Sequence, residues 1–184
     1  MKNLINDYIT KEEKEELWDE ALNFAKRKKK GEVLCRVLPF FDDDSEEETQ
    51  RKLHQHAYWK YVGNIAQRLF INYITKEVGQ FEHDVLYTTK KGHVGDIDTL
   101  TKDGKRGDIK ASDKSYYMNV NFSDLKNNDI FIKIHIEPKE GTWTICGWQT
   151  KEYIQNNIQK HGILYRVEYK DLNKNIEELV NMYR

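Results

Sequence analysis

Apolar positions recur at helical spacing in the first third of the chain and alternate with polar ones further on. Leu17, Ala21 and Phe24, with Trp18, Leu22 and Ala25, form a stripe behind Thr10. Glu13 follows Thr10 by three, the spacing of a capping box, so a helix is predicted from about residue 10 to Gly31. Its last turn carries Lys26, Arg27, Lys28, Lys29 and Lys30, cations that favour the negative end of the helix dipole. A longer helix is predicted over 49–78. Leu53, Ala57, Tyr61, Ile65, Leu69 and Tyr73 make one stripe there, joined by Tyr58, Val62, Ala66, Phe70 and Ile74, and Gly79 ends it. Between the helices, 33–41 is apolar but holds Pro39 and reads as a short strand or extended segment, and 42–48 is an acidic solvated linker. Short β-like runs follow at 84–89, 94–100, 106–111, 130–137, 142–148 and 163–169. Thr150 is placed to cap a helix to about residue 159, and 172–182 reads as a closing amphipathic helix. The expected fold class is α/β (α+β), with a mixed central sheet flanked by helices and an N-terminal helical arm.

Charge sharpens the domain division. The net charge is only −1, but residues 1–50 hold 9 Lys/Arg against 14 Asp/Glu, and the remaining residues hold 21 against 17. An acidic helical arm (1–50) and a mildly basic domain (51–184) are expected, the latter compatible with a polyanionic partner. No run of 18 apolar residues exists, so no membrane partner or span is expected. Residues 1–10 do not read as a secretory signal. The two cysteines, Cys35 and Cys146, form neither a disulfide framework nor a paired metal motif, which makes a reduced, cytoplasmic setting the default.

The segment His93-Val-Gly-Asp96-Ile-Asp98 and the segment Asp108-Ile-Lys110 flank a turn at Asp103-Gly104. A two-residue Asp-Gly loop would pair Lys102 with Lys105 and send the acids of the first run to the face opposite Asp108 and Lys110. A three-residue loop, Lys102 to Gly104, pairs Thr101 with Lys105 and puts Gly104 where a left-handed residue is required. Asp96 then stands opposite Lys110 and Asp98 opposite Asp108, with all four on one face and Ile97, Ile109 and Ala111 on the other. Complete segregation of polar from apolar residues selects this second register.

Three carboxylates and an ammonium on one patch would repel and raise one another's pKa values unless a cation joined them. Hard oxygen donors suit Mg²⁺ or Mn²⁺, with water and a substrate phosphate completing the shell. Such an ion activates water and stabilises charge on phosphorus, and a neighbouring lysine orients the attacking water or neutralises a phosphate oxygen. Asp96, with Asp108-Ile109-Lys110 twelve residues on and a long helix before them, resembles the PD-(D/E)xK phosphodiesterase superfamily of restriction-endonuclease-like and Holliday-junction-resolvase-like nucleases. The resemblance implies a restriction-endonuclease-like core over about 57–148. It assigns metal binding to Asp96 and Asp108 and catalytic assistance to Lys110, and leaves Asp98 as an extra ligand. Many members carry a glutamate on the first helix. Here Gly63 is followed by Asn64 and Gln67, so either Glu77 or Glu82, near the first strand, supplies the acid, or a side-chain carbonyl of Asn64 or Gln67 takes its place, or the site is weakened.

Residues near the hairpin complete the expected site. Ser112 and Lys114 follow the motif strand and, with His93, Asn64 and Gln67, are candidates to touch nucleic acid. His54 and His56 fall on different sides of a helix and do not suggest zinc. The chain lacks the phosphate-loop, dinucleotide and nucleophile-elbow motifs. The expectation is a Mg²⁺- or Mn²⁺-dependent nuclease acting on DNA, or on RNA, with a homodimer suited to cutting both strands. The rival is an inactive nuclease-fold module that binds nucleic acid or protein.

Overall fold

The computed structural model describes residues 2–33, 38–88 and 94–184, with the side chains of 84–88 and 94–97 outside that description. The chain opens with a two-residue strand β1 (Asn3–Leu4), a 3-10 turn and helix α1 (Lys11–Lys29). Thr10 accepts from the Glu13 N–H while Glu13 accepts from the Thr10 N–H, so the expected capping box forms. Of the extended segment expected over 33–41, residues 34–37 lie outside the description, and 38–41 contain no strand.

Helix α2 (Glu46–Val78) begins earlier than its apolar stripe, because Ser45 caps it through the Glu48 N–H. Glu46, Glu47 and Glu48, expected in a linker, form its first turn, where acids oppose the positive end of the dipole. The boundary expected near residue 50 therefore falls inside this helix.

Strands β2 (His83–Thr88), β3 (Val94–Leu100), β4 (Arg106–Ser112), β6 (Ile130–Glu137) and β7 (Thr142–Thr150) join β1 in a six-stranded sheet ordered β1-β7-β6-β4-β3-β2. The β4–β6 pair is parallel and the other described pairs of this sheet are antiparallel, so the sheet is mixed. Between β4 and β6 the chain makes β5 (Met118–Asn121) and a short helix α3 (Phe122–Asn127), neither of which has an apolar period long enough to read from sequence. After β7 come α4 (Lys151–Asn157), capped by Thr150, then β8 (Lys160–His161), β9 (Leu164–Val167) and α5 (Ile176–Asn181). β5, β9 and β8 make a second, three-stranded sheet.

The two faces of β6 serve two cores. Ile130, Ile132, Ile134 and Ile136 pack with Leu69, Phe70 and Ile74 of α2 and with Leu179 and Val180 of α5. Phe131 points the other way, to Met118, Val120, Leu125, Ile154 and Val167. The first core also takes Ile5, Ile9 and Leu17 from the N-terminal segment. Each buried side chain of that kind contributes about 1.5–3 kcal/mol, against a net domain stability of about 5–15 kcal/mol, which ties the segment expected as an arm to the sheet. The architecture is mixed α/β, a mixed sheet with flanking helices. No helix among the described residues is long and apolar enough to cross a membrane.

Candidate functional site

The hairpin adopts the three-residue loop. Thr99 pairs with Gly107 and Leu100 with Arg106, the Thr101 N–H donates to the Lys105 carbonyl, and Gly104 takes φ +79°. A Cβ on Gly107 would lie 2.2 Å from Thr99 Oγ1 and 3.1 Å from Tyr183 Oη, two hydroxyls that share a 2.8 Å hydrogen bond. Only glycine lets the buried Thr99–Tyr183 link cross the strand at that point. The C-terminal residues are thereby fastened to the hairpin.

Asp98 lies where this register carries it, beside the β4 backbone, and its Oδ2 accepts the Ile109 N–H at 2.7 Å. One oxygen of this carboxylate thus holds the triplet strand. Asp108 and Lys110, two apart on β4, share a face, and Lys110 Nζ is 2.8 Å from Asp108 Oδ2. The ammonium also donates to Asp124 Oδ2 at 2.7 Å. Burial disfavours its charge, but Asp108 and then Asp124 more than compensate, so its pKa rises. Asn128 Nδ2 reaches Asp108 Oδ2 at 3.4 Å. The backbone of Asp96 pairs with Leu86 in β2–β3, and the face taken by its side chain, like all of His93, lies outside the described residues.

The other expected residues do not all converge. Ser112 Oγ accepts the N–H groups of Lys114 and Ser115, so it shapes the turn after β4, and the Lys114 side chain is exposed. Asn64 is buried and Gln67 half-buried on α2, and neither is among the described residues that line the cavity at the end of β4. Glu77 is exposed at the far end of α2. Its charge is felt by Tyr73, whose pKa is raised by burial first and Glu77 second, and Tyr73 stacks edge-on against Trp143 of β7. That places Glu77 toward the β7 side of the sheet rather than beside Lys110.

Sequence reasoning missed Asp124 and Lys133. The spacing Asn121-x-x-Asp124 is that of a helix start, and Asp124 Oδ2 does lie 3.4 Å from the Asn121 N–H, but nothing local says that this turn will meet β4. Lys133 is the register partner of Lys110 on β6 and is only 2% exposed. Both lysines line a cavity of about 410 Å³ with Trp59, Ser112, Asp113 and Asn119. Burial pushes the Lys133 ammonium down to about 8. Tyr58 Oη donates to Asp113 Oδ2 at 2.6 Å on the same wall.

Among the described residues, no three acid, imidazole or thiol groups converge to hold a metal by themselves. Magnesium, however, commonly takes one or two carboxylates and fills its shell with water and phosphate oxygens. Asp108 is half-buried and offers one carboxylate, whose Oδ2 already meets Lys110 Nζ and Asn128 Nδ2. Comparison of the chain with family models, with curated proteins and with solved structures finds no match.

Proposed function

We propose that this protein is a divalent-metal-dependent nuclease, of the PD-(D/E)xK kind with a restriction-endonuclease-like core, that hydrolyses DNA phosphodiester bonds. The observation that carries the reading is the Asp108–Lys110 pair at 2.8 Å on the triplet strand, with Asp98 of the neighbouring strand bonded to the Ile109 N–H between them. A carboxylate and an ammonium in contact are what hydrolysis of a phosphodiester asks of adjacent residues, one to hold a cation and one to face the phosphate. Asp108, with Asp96, would hold Mg²⁺ or Mn²⁺, which supplies an activated water and charge stabilisation at phosphorus.

The chain's own residues do the rest. Asp98, bonded to the Ile109 N–H, keeps Asp108 and Lys110 at fixed height on the strand. Asp124 holds the Lys110 ammonium charged and aimed at the Asp108 side. When a phosphate enters, Lys110 can exchange one carboxylate for a non-bridging oxygen and remain paired through the other. This keeps a positive charge in place as negative charge grows on phosphorus. A homodimer would offer one such site to each strand of a duplex.

A second reading, a binding module without cleavage, draws on the same geometry. Lys110 is already neutralised on two sides, and α2 offers Asn64 and Gln67 where an acid is usual in the superfamily that the hairpin resembles. Nicking of supercoiled plasmid with Mg²⁺, with Mn²⁺ and with EDTA separates the two. Metal-dependent nicking that disappears in Asp108→Ala supports the enzyme. Absence of cleavage of DNA and RNA by the wild type, with nucleic acid still bound, supports the module.

A further inference from the structure

We propose that the cavity at the end of β4 is a binding site for a nucleotide phosphomonoester, with Lys133 holding the phosphate and Trp59 stacking on the base. Lys133 is one of the largest side chains in the interior, 2% exposed, yet among the described residues its ammonium makes no hydrogen bond or ion pair. A buried cation without a partner is costly, and an anion is the ligand that relieves the cost.

The surroundings favour an anion over other polar ligands. Lys110, Lys114 and Lys133 line the cavity against one carboxylate, Asp113, which already accepts the Tyr58 hydroxyl. Lys110 is paired with Asp108 and Asp124, which leaves Lys114 and the buried Lys133 against the single charge of Asp113, so the lining keeps a net positive charge among the described residues. The other ionisable group near Lys133, Cys146, is buried, which raises the thiol pKa and keeps it neutral. Ser115 and Asn119 add a hydroxyl and an amide to the wall.

Size and aromatic lining narrow the class. About 410 Å³ lies within the range of about 300–1,000 Å³ usual for small-molecule sites and exceeds what a bare phosphate fills. Trp59 lines the same cavity and is 42% exposed, an aromatic side chain partly open to solvent on the wall that it shares with the buried Lys133. Base-on-aromatic stacking is worth about 1–3 kcal/mol per base and tolerates any base. The ligand is either a free nucleoside monophosphate or the phosphorylated terminal nucleotide of a strand. The proposal does not depend on cleavage, and its test reads binding alone.

Calorimetric titration uses the full chain with inorganic phosphate, deoxyadenosine 5′-monophosphate, deoxyadenosine, and one oligonucleotide carrying either a 5′-phosphate or a 5′-hydroxyl. The monophosphate is expected to bind, and deoxyadenosine to bind at least about tenfold more weakly. Lys133→Met should weaken the monophosphate by about 10–100-fold, the range for losing one hydrogen bond to a charged group. Lys133→Gln provides a polar second variant with the same expected loss. Trp59→Ala should weaken the monophosphate by about tenfold and leave inorganic phosphate unchanged. Competition by the 5′-phosphorylated strand but not the 5′-hydroxyl strand identifies a strand end as the ligand, and binding of the free nucleotide alone identifies that instead. Failure of the wild type to bind either phosphate or monophosphate overturns the proposal, as does unaltered binding in folded Lys133→Met and Lys133→Gln. Nicking by a wild type that binds no monophosphate would leave the nuclease reading standing while this one falls.

Discussion

Lys110 and Lys133 are register partners on adjacent parallel strands, yet only Lys110 is neutralised. Asp108 and Asp124 flank Lys110 at 2.8 and 2.7 Å, and its pKa rises. Lys133, one strand over, is held down to about 8 by burial. Two lysines that each sit between apolar neighbours, Ile109 and Ala111 for Lys110 and Ile132 and Ile134 for Lys133, are thus driven in opposite directions by what lies across the sheet face.

Lys133→Met should therefore stabilise the ligand-free protein at neutral pH, by about 2–4 kcal/mol from the difference between pKa values of about 8 and 10.5. The sign follows from proton counts. Between pH 8 and 10.5 the unfolded chain binds more protons at this site than the folded one. The wild type should gain stability relative to the variant as pH rises through that window. Tyr58 and Tyr183, both raised to about 12, act oppositely only above their unfolded value near 10. Urea unfolding of both proteins at pH 7, 8.5 and 9.5 checks this, and a constant gap between them would refute it.

In the nuclease reading, Asp108→Ala and Asp96→Ala should abolish metal-dependent nicking. Lys110→Ala should lower the rate by about 10²–10³ while metal still binds, since an ammonium is no ligand. DNA affinity should change little, because phosphate contacts elsewhere supply most of it. Rates and filter binding measured on the same preparations distinguish lost chemistry from lost binding.

Asp124→Asn should behave differently from Asp108→Ala. It removes one partner of a half-buried ammonium and should cost about 1–3 kcal/mol in unfolding free energy. Cleavage should persist, because Asp124 positions Lys110 and binds no metal in this reading. Equal loss of nicking in both variants would move Asp124 into the metal shell.

Gly107→Ala should destabilise by about 1–3 kcal/mol, the usual cost of forcing an extra methyl group into a filled space. Its Cβ would displace the Thr99–Tyr183 hydrogen bond. Tyr183→Phe in the same background should recover part of the loss, and the comparison of melting temperatures tests that coupling.

Ile9→Ala should cost about 2–4 kcal/mol, since Ile9 is 2% exposed within the main core. Removal of residues 1–29 takes β1 and α1 together and should leave a chain that no longer unfolds cooperatively. A truncated protein with an unchanged denaturation midpoint would restore the reading of this segment as a separable arm.

The elements legible in the sequence are those whose causes are local. Thr10 with Glu13, the stripe from Leu53 to Ile74, and the Asp103-Gly104 loop each depend on residues a few positions apart, and the helices and hairpin follow them. The strand containing Asp108 and Lys110, and their common face, came from the two-residue period of extended backbone. Tertiary structure decided what lay across from them. Ile130, Ile132, Ile134 and Ile136 alternate along β6, and nothing local records what covers the face that Lys133 and His135 share. The β5–β9–β8 sheet and α3 cover that second face, so both are buried, and Lys133 lines a cavity instead of meeting bulk water. Asp124 reaches Lys110 only because β6 returns parallel to β4 and α3 sits in the connection. Pairings between distant segments are set by the summed burial of whole faces, which no window of neighbouring residues records.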